Sequence, residues 1–191
     1  FPQETEFVIA LGYKGDIVRQ YLEITYPERK FKFVEVDKYS EPGSGPGYAM
    51  IQCKKYLQCP FYFVSCDSIV DLKNRLHWQD NWVGWSDIDE HEKEVYCTLD
   101  IESDGWGDSF VSGFHDKSKD GTTSAFIGVS FIKSYEYFWN HLGKAQPTIN
   151  QEIQVAPSIL NIPNLNDWYF EWWDTGNEEG LQKARQRFSG L

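Results

Sequence analysis

The stretch Pro60-Phe61-Tyr62-Phe63-Val64-Ser65-Cys66-Asp67 is a short apolar run that ends in an acidic residue. Aromatic and β-branched residues bounded by a proline are typical of a β-strand. In open α/β sheets, ligands bind beyond the carboxyl ends of the strands. The pattern therefore predicts a strand that places the Asp67 carboxylate at a binding site. An aspartate also commonly starts a turn or caps a helix, and that local role is the alternative.

A second run of this kind lies near the end of the chain. Residues 168–173 are rich in aromatic side chains and lead into Asp174, which is followed by Thr175 and Gly176. If the two strands are neighbours, the carboxylates of Asp67 and Asp174 converge at one sheet edge. Paired carboxylates suit Mg²⁺, with substrate phosphates filling its remaining positions. We therefore predict Asp67 and Asp174 as Mg²⁺ ligands.

The segment Gly43-Ser44-Gly45-Pro46-Gly47-Tyr48-Ala49-Met50 combines a glycine-rich turn with the start of a helical pattern. Glycine lets a backbone approach a planar base or a phosphate closely, and free N–H groups in the first turn of a helix favour anions. Most such turns simply connect a strand to a helix. Here the turn precedes a predicted strand that ends in Asp67, which strengthens its interpretation as a ligand-binding loop.

Alternating strands and helices in the first part of the chain predict an α/β fold with a mostly parallel sheet and helices on both faces. Strands separated by Gly-, Ser- and Asp-rich turns follow, and they predict a small antiparallel insertion on the substrate side. The predicted strands are 7–11, 31–36, 61–66, 95–101, 110–114, 125–131 and 168–173, and the predicted helices are 16–25, 48–57, 134–142, 151–160 and 178–188.

These motifs, in this order, resemble the nucleotidyltransferases that activate sugar phosphates or phosphocholine. The resemblance extends from about Phe7 to Phe188 and depends on the order and spacing of degenerate motifs. These motifs are residues 45–50, residues 61–67, and residues 173–176 together with Glu179, Leu181 and Ala184. It implies that Asp67 and Asp174 hold Mg²⁺ on the nucleotide phosphates and are the catalytic residues. It also implies a loop that holds the nucleobase, formed by Gly45, Pro46, Gly47, Tyr48 and Ala49.

The resemblance further implies transfer of a nucleoside monophosphate from a nucleoside triphosphate to a phosphorylated small molecule, with release of pyrophosphate. CMP is favoured because the Trp-rich ending and the 125–128 strand are most similar to cytidylyltransferases of surface-polysaccharide pathways. Candidate acceptor-binding residues are Lys117, by similarity, and Glu152 on a predicted helix. An aromatic cage for a quaternary ammonium would use Trp82, Trp85 and Trp172, although tryptophan is also a common packing residue.

The chain departs from this family in one respect. Family members open with a strand and a glycine-rich loop carrying Arg and Lys that grips the triphosphate, whereas this sequence begins at Phe1 and its first strand resembles the family's second. We therefore expect a single domain without its first strand and loop, with a nucleotide-binding half over about 1–75 and an acceptor-binding half over about 76–191. A metal-dependent glycosyltransferase and a noncatalytic nucleotide-binding or interaction module are the alternatives.

Composition excludes several classes of protein. The net charge of −11 argues against broad nucleic-acid binding, because the phosphate backbone would be repelled. No apolar run approaches the roughly 20 residues needed to cross a bilayer, so we expect no membrane span. The four cysteines lack a close C-x-x-C pair, which favours reduced thiols in a cytoplasmic protein over a disulfide framework or a zinc site. Oligomeric state is not indicated.

Overall fold

The computed structural model describes residues 1–71, 78–103, 105, 109–148 and 151–188. The strands are β1 (Glu6–Leu11), β2 (Lys30–Glu35), β3 (Phe61–Val64), β4 (Ser68–Val70), β5 (Asn81–Asp87), β6 (Thr98–Ser103), β7 (Ser109–His115), β8 (Ser124–Ile132), β9 (Leu165–Tyr169) and β10 (Trp172–Asp174). The α-helices are α1 (Gly15–Thr25), α2 (Pro46–Cys53), α3 (Tyr135–Leu142), α4 (Ala156–Leu160) and α5 (Glu178–Phe188).

The chain opens with a parallel β1–α1–β2 unit, as the alternation of the sequence predicted. Phe7 pairs with Phe31 in the parallel register of β1 and β2. Lys14 adopts a left-handed conformation with φ 56°, which turns the chain from β1 into α1. The helix ends at Thr25 because Pro27 disfavours helical geometry at the residue before it.

A larger sheet contains six strands in the order β7-β6-β8-β5-β9, with β3 also paired to β8. β8 is central and pairs antiparallel with β3, β5 and β6, while β9 joins β5 in parallel. The α/β class is confirmed, with a mixed sheet in which antiparallel pairing is more extensive than predicted. The predicted insertion corresponds to the β6–β7 hairpin, whereas β8 is buried along most of its length because it has neighbours on both edges.

The predicted final strand over 168–173 is divided into two strands. β9 pairs with β5, and β10 pairs antiparallel with β4, which places Asp174 opposite Ser68. The division follows Phe170, which is buried and whose N–H donates to the Trp85 carbonyl. The two strands therefore belong to different sheets, and the small β4–β10 pair determines where Asp174 lies.

Two apolar clusters cover the faces of the larger sheet. One contains Phe61, Phe63 and Val83 together with side chains from α2, α3 and α4, and the other contains Trp82 and Phe131. Neighbouring residues of a strand point to opposite faces, so the change from Trp82 to Val83 marks the two sides of β5. β5 is absent from the predicted strands, because its tryptophans also fit the pattern of an aromatic cage.

Three predicted elements have different bounds. The helix predicted over 151–160 begins at Ala156, because the Ile153 N–H donates to the Ser44 carbonyl and residue 153 is therefore not helical. The strand predicted from Val95 begins at Thr98, because the Val95 N–H is used in a turn that ends at the Glu92 carbonyl. The helix predicted over 48–57 spans 46–53 and continues as one turn of 3-10 helix.

The described helices include none that combines the length and apolar character needed to cross a membrane.

Candidate functional site

The carboxylates of Asp67 and Asp174 face the same small space beside Gly176. A β-carbon placed on Gly176 would lie 3.1 Å from Asp174 Oδ1 and 3.2 Å from Asp67 Oδ2. The Thr175 N–H and hydroxyl both donate to the Asp67 carbonyl, at 2.7 and 2.8 Å. The structure therefore brings the two predicted acids together, and it does so through the β4–β10 pair rather than through two long neighbouring strands.

Asp174 also takes part in local turn structure. Its Oδ1 accepts the Gly176 N–H at 2.8 Å, and its Oδ2 accepts the Asn177 Nδ2 at 2.7 Å and the Tyr96 hydroxyl at 2.7 Å. Asn177 in turn accepts the Gly180 N–H at the start of α5. The turn-forming role considered for these aspartates is thus present at Asp174 alongside its approach to Asp67.

The donor set beside Gly176 fits a hard divalent cation. Mg²⁺ is usually held by one or two carboxylates and completes its coordination with water and substrate phosphates. Within the described residues no group of three or more His, Cys, Asp or Glu side chains is arranged to hold a metal ion, so a richer cage is not formed there. Because residue 176 has no side chain, none crowds Asp67 Oδ2 and Asp174 Oδ1 from that position.

The glycine-rich loop is fixed to the segment that precedes α4. The Gly43 N–H donates to the Gln151 carbonyl at 2.7 Å, and the Gly47 N–H donates to the Ile153 carbonyl at 2.7 Å. A β-carbon on Gly47 would lie 2.6 Å from Ile153 Cγ2 and 2.7 Å from its carbonyl oxygen, so this approach requires glycine. Gly45 has φ 106°, which also favours glycine.

This loop borders an open hollow of about 230 Å³ that is shared with the carboxyl ends of β1 and β2. The hollow is lined by Gly45, Pro46 and Ala49 from the loop and by Ala10, Gly12, Val36, Lys38 and Tyr39. Tyr48 points its hydroxyl to Asp37, donating to Oδ1 at 2.7 Å, and this hydrogen bond lowers the pKa of Asp37. Three of the five predicted loop residues therefore line one hollow.

Lys117 and Glu152, predicted separately, are brought together. The Lys117 Nζ lies 3.9 Å from Glu152 Oε2, and Gln154 Nε2 donates to the same oxygen at 3.0 Å. Lys117 has φ 44°, a left-handed conformation that is uncommon for a residue with a side chain. Glu152 also borders the loop, since a β-carbon on Gly45 would lie 3.0 Å from its Cβ.

Neighbouring residues connect the two groups. Tyr96 bonds to Asp174, and the next residue, Cys97, donates its thiol to Asp116 Oδ1 at 3.4 Å. Asp116 precedes Lys117, which faces Glu152. Burial raises the pKa of Cys97 to about 12, so this thiol remains protonated and able to donate. A continuous series of contacts therefore runs from the acid pair to the glycine-rich loop.

Of the three tryptophans proposed for an aromatic cage, Trp82 and Trp85 belong to different apolar clusters, and Trp172 packs against the cluster that contains Trp82. Trp82 is 1% exposed and packs in the cluster that contains Phe131. Trp85 packs against the cluster on the opposite face, and its Nε1 donates to Asp167 at 2.8 Å. Trp172 packs edge-on to Tyr96 with ring centroids 5.1 Å apart. Trp82 and Trp85 therefore serve packing and cannot enclose one cation together.

The sequence itself matches no known family model and no curated protein. The structure is similar to a UDP-glucose pyrophosphorylase complexed with UDP-glucose, with a TM-score of 0.77 and 16% identity, covering 96% of this chain and 80% of that one. The chain has the fold of the sugar-phosphate nucleotidyltransferases. The resemblance expected from the sequence is thus confirmed for the fold.

Two further solved structures support the same conclusion. A putative glucose-1-phosphate thymidylyltransferase from Bacillus anthracis gives a TM-score of 0.74 at 16% identity, covering 96% of this chain and 76% of that one. HddC from Yersinia pseudotuberculosis, complexed with GMP-PN, gives a TM-score of 0.60 at 17% identity, covering 95% of this chain and 77% of that one. At such identities the comparison establishes the fold.

Several residues of the site were not selected from the sequence. Tyr96 and Asn177 hold Asp174, Gln154 holds Glu152, and Gly176 places no side chain beside the two acids. Tyr96 and Asp174 are 78 residues apart, so spacing gave no signal for that contact. Gln154 lies two residues from Glu152 in a segment predicted as a helix, and residues two apart on a helix do not face each other. Gly176 and Asn177 directly follow Asp174, and their turn-forming character was the one signal available.

Proposed function

We propose that the protein is a nucleotidyltransferase that transfers a nucleoside monophosphate from a nucleoside triphosphate to a phosphorylated small molecule. The observation that carries this proposal is the convergence of Asp67 and Asp174 beside Gly176. It is supported by a fold shared with sugar-phosphate nucleotidyltransferases and by the Lys117–Glu152 pair next to the glycine-rich loop. We propose that Asp67 and Asp174 hold Mg²⁺.

In the proposed reaction, an oxygen of the acceptor phosphate forms a bond to the α-phosphorus of the nucleotide. The bond from that phosphorus to the oxygen that bridges to the β-phosphate breaks, and pyrophosphate leaves with its electron pair. A phosphate monoester is already ionised at neutral pH, so no general base is needed. Mg²⁺, when bound, would neutralise charge that develops on the phosphate oxygens.

The remaining residues serve to position the two substrates. Gly45, Pro46, Gly47, Tyr48 and Ala49 bound the base, with the hollow beside β1 and β2 as the available space. Lys117 attracts the phosphate of the acceptor substrate. Glu152 holds the Lys117 ammonium and accepts a hydrogen bond from a hydroxyl group of that substrate. Trp172, which packs beside Tyr96 and Asp174, is the one tryptophan of the predicted cage that remains close to the acid pair.

We favour CMP as the transferred group and a sugar phosphate or phosphocholine-like acceptor, in the synthesis of a surface polysaccharide or lipid precursor. The cytidine preference depends on the Trp-rich ending and the 125–128 strand. The described cysteines are all free thiols, which supports action in the cytoplasm, where nucleoside triphosphates are available. A panel of CTP, UTP, dTTP and GTP in the same binding assay tests the base.

We further propose that an additional strand, loop and helix complete the nucleotide-binding half, which spans about residues 1–75 of this sequence. Among the described residues β1 pairs with β2 alone and β3 pairs with β8 alone, so each presents a free edge. The Phe1 ring lies between the two, 5.8 Å from Phe7 on β1 and 5.5 Å from Tyr62 on β3. One further strand between these edges would join both sheets and provide a loop for the triphosphate.

These free edges also favour the second candidate function, a noncatalytic nucleotide-binding or interaction module. In that case the incomplete sheet would be the functional form. Asp174 would then stabilise the turn that follows it and would not bind a metal ion. A glycosyltransferase is less well supported, because such enzymes usually hold their metal with a close D-x-D pair, whereas the residues two positions before and after Asp67 are Ser65 and Ile69.

The decisive experiment measures Mg²⁺-dependent nucleotide binding by calorimetry. Asp67→Asn and Asp174→Asn should each abolish it, and Gly176→Ala should weaken it, because a β-carbon would lie 3.1 and 3.2 Å from the two carboxylates. Glu23→Gln, which neutralises an exposed carboxylate on α1, is the control and should bind as the parent does. Thermal melts verify that each variant is folded. Parental binding by all three site variants would refute the metal assignment.

A second assay tests completeness. Pyrophosphate release should be negligible for residues 1–191 and should appear when about 40 to 50 preceding residues, the length of a strand, loop and helix, are supplied. Robust turnover by the 191 residues would show that the added segment is dispensable. An extended chain that is inactive with every acceptor would favour the noncatalytic module.

A further inference from the structure

Asp174 has one oxygen that is fully occupied by hydrogen-bond donors and one that is not. Tyr96 and Asn177 both donate to Oδ2, each at 2.7 Å. A carboxylate oxygen has two lone pairs, so two donors saturate Oδ2. Among the described residues Oδ1 accepts the Gly176 N–H, at 2.8 Å, and therefore keeps one lone pair for a further partner.

The oxygen that keeps a lone pair is also the one that faces Asp67. Asp174 Oδ1 and Asp67 Oδ2 are the two carboxylate oxygens that lie within 3.2 Å of a β-carbon placed on Gly176. The saturation of Oδ2 and the approach of Oδ1 to Gly176 therefore select the same atom of Asp174. A ligand shared between the acids would meet Oδ1 rather than Oδ2.

We propose that Tyr96 is a positioning residue that holds Asp174 so that it binds Mg²⁺ through Oδ1 alone. The inference rests on the proposed function and adds to it a residue from a distant part of the chain. Outer-shell hydrogen bonds orient carboxylate ligands, and their removal typically weakens metal binding by about 10- to 100-fold. Tyr96 acts through Asp174 and need not touch the substrate.

The surroundings of Tyr96 suit this role. Its ring packs edge-on to Trp172 with centroids 5.1 Å apart, which fixes the direction of the hydroxyl. The hydroxyl donates to Asp174 Oδ2 at 2.7 Å, so the packed ring keeps that oxygen occupied.

The test is a titration with Mn²⁺ alone, followed by the EPR signal of the free ion. The specific component of binding is the part that Asp67→Asn removes, which separates it from weak association with an acidic surface. Tyr96→Phe keeps the ring against Trp172 and removes the hydroxyl, and it should weaken the specific component by about 10-fold or more. Tyr135→Phe is the matched control, because that hydroxyl bonds to Glu136 and should leave Mn²⁺ affinity unchanged.

A double-mutant cycle distinguishes the positioning of Asp174 by Tyr96 from a general effect of Tyr96 on the structure. The effect of Tyr96→Phe should disappear in an Asp174→Glu background, which keeps a carboxylate for the metal but changes its reach to the Tyr96 hydroxyl. Parental Mn²⁺ affinity in Tyr96→Phe, or an equal loss in both backgrounds, would overturn the inference while leaving the metal site intact. If the parent and Asp67→Asn bind Mn²⁺ alike, the proposed metal site itself fails, and this inference fails with it.

Discussion

The six-stranded sheet and the β1–α1–β2 unit differ in how much of their apolar surface is covered. On β8, the side chains of Ile127, Val129 and Ile132 are at most 1% exposed. On α1 no residue is buried, and Ile17 and Ile24 are 61% and 79% exposed. The two regions are built from similar residue types, so the difference lies in their neighbours.

The comparison predicts that the six-stranded sheet contributes more to stability than the β1–β2 pair. β8 has strands on both edges and apolar clusters on both faces, whereas β1 and β2 form a two-stranded sheet. An isolated pair of strands is marginally stable, and it usually needs more strands or a packed helix. The inward side of α1 contributes Arg19, which stacks on Phe33 with its guanidinium 4.9 Å from the ring.

The largest expected difference in stability comes from truncating one apolar side chain in each region. Ile132→Ala should lower the free energy of unfolding by about 2 to 5 kcal/mol, because it leaves a cavity in the buried cluster. Ile24→Ala removes a similar number of atoms from an exposed position and should change stability by less than about 0.5 kcal/mol. Urea denaturation measures both. Equal losses would show that α1 is covered in solution.

A second contrast uses polar groups. Asn81 is buried on β5, donates to Ser134 Oγ and to the Pro163 carbonyl, and accepts the N–H groups of Lys133 and Ser134. Asn81→Ala should therefore cost about 1 to 3 kcal/mol or more, because buried groups lose their partners. Glu35→Gln removes the exposed pair with Arg19, 3.0 Å apart, and should cost at most about 1 kcal/mol.

Comparable losses for the two polar substitutions, measured by the same denaturation assay, would contradict the distinction between the two regions.

The last contrast concerns the loop that joins the two regions. A β-carbon at Gly47 would press against Ile153, which should cost about 1 kcal/mol or somewhat more and shift the loop. Nucleotide affinity, measured by calorimetry, should fall by more than stability does. Gly43→Ala is an informative companion, because a β-carbon there meets nothing within 4 Å although its φ of 86° is strained. A Gly47→Ala protein that loses stability but keeps its nucleotide affinity would make this loop a plain connection.

Local patterns determined much of the secondary structure. Strands β1, β2, β3, β7 and β8 and helices α1, α3 and α5 lie close to their predicted bounds, because periodicity and flanking Gly or Pro residues are properties of neighbouring residues. The α/β class followed from their alternation. The site residues Asp67 and Asp174 were selected for the same reason, since each follows an apolar run.

Pairing between distant segments was decided by the tertiary structure. The centrality of β8, the existence of β5 and the division of 168–173 into β9 and β10 depend on which strands meet, and sheet partners carry no fixed sequence spacing. The same limit applies to the site. The sequence by itself supplied two acids, a glycine-rich loop, and Lys117 and Glu152 as separate candidates. The fold placed Tyr96 on Asp174, Lys117 beside Glu152 and Trp82 in the core, because such contacts form only when residues far apart in the chain pack together.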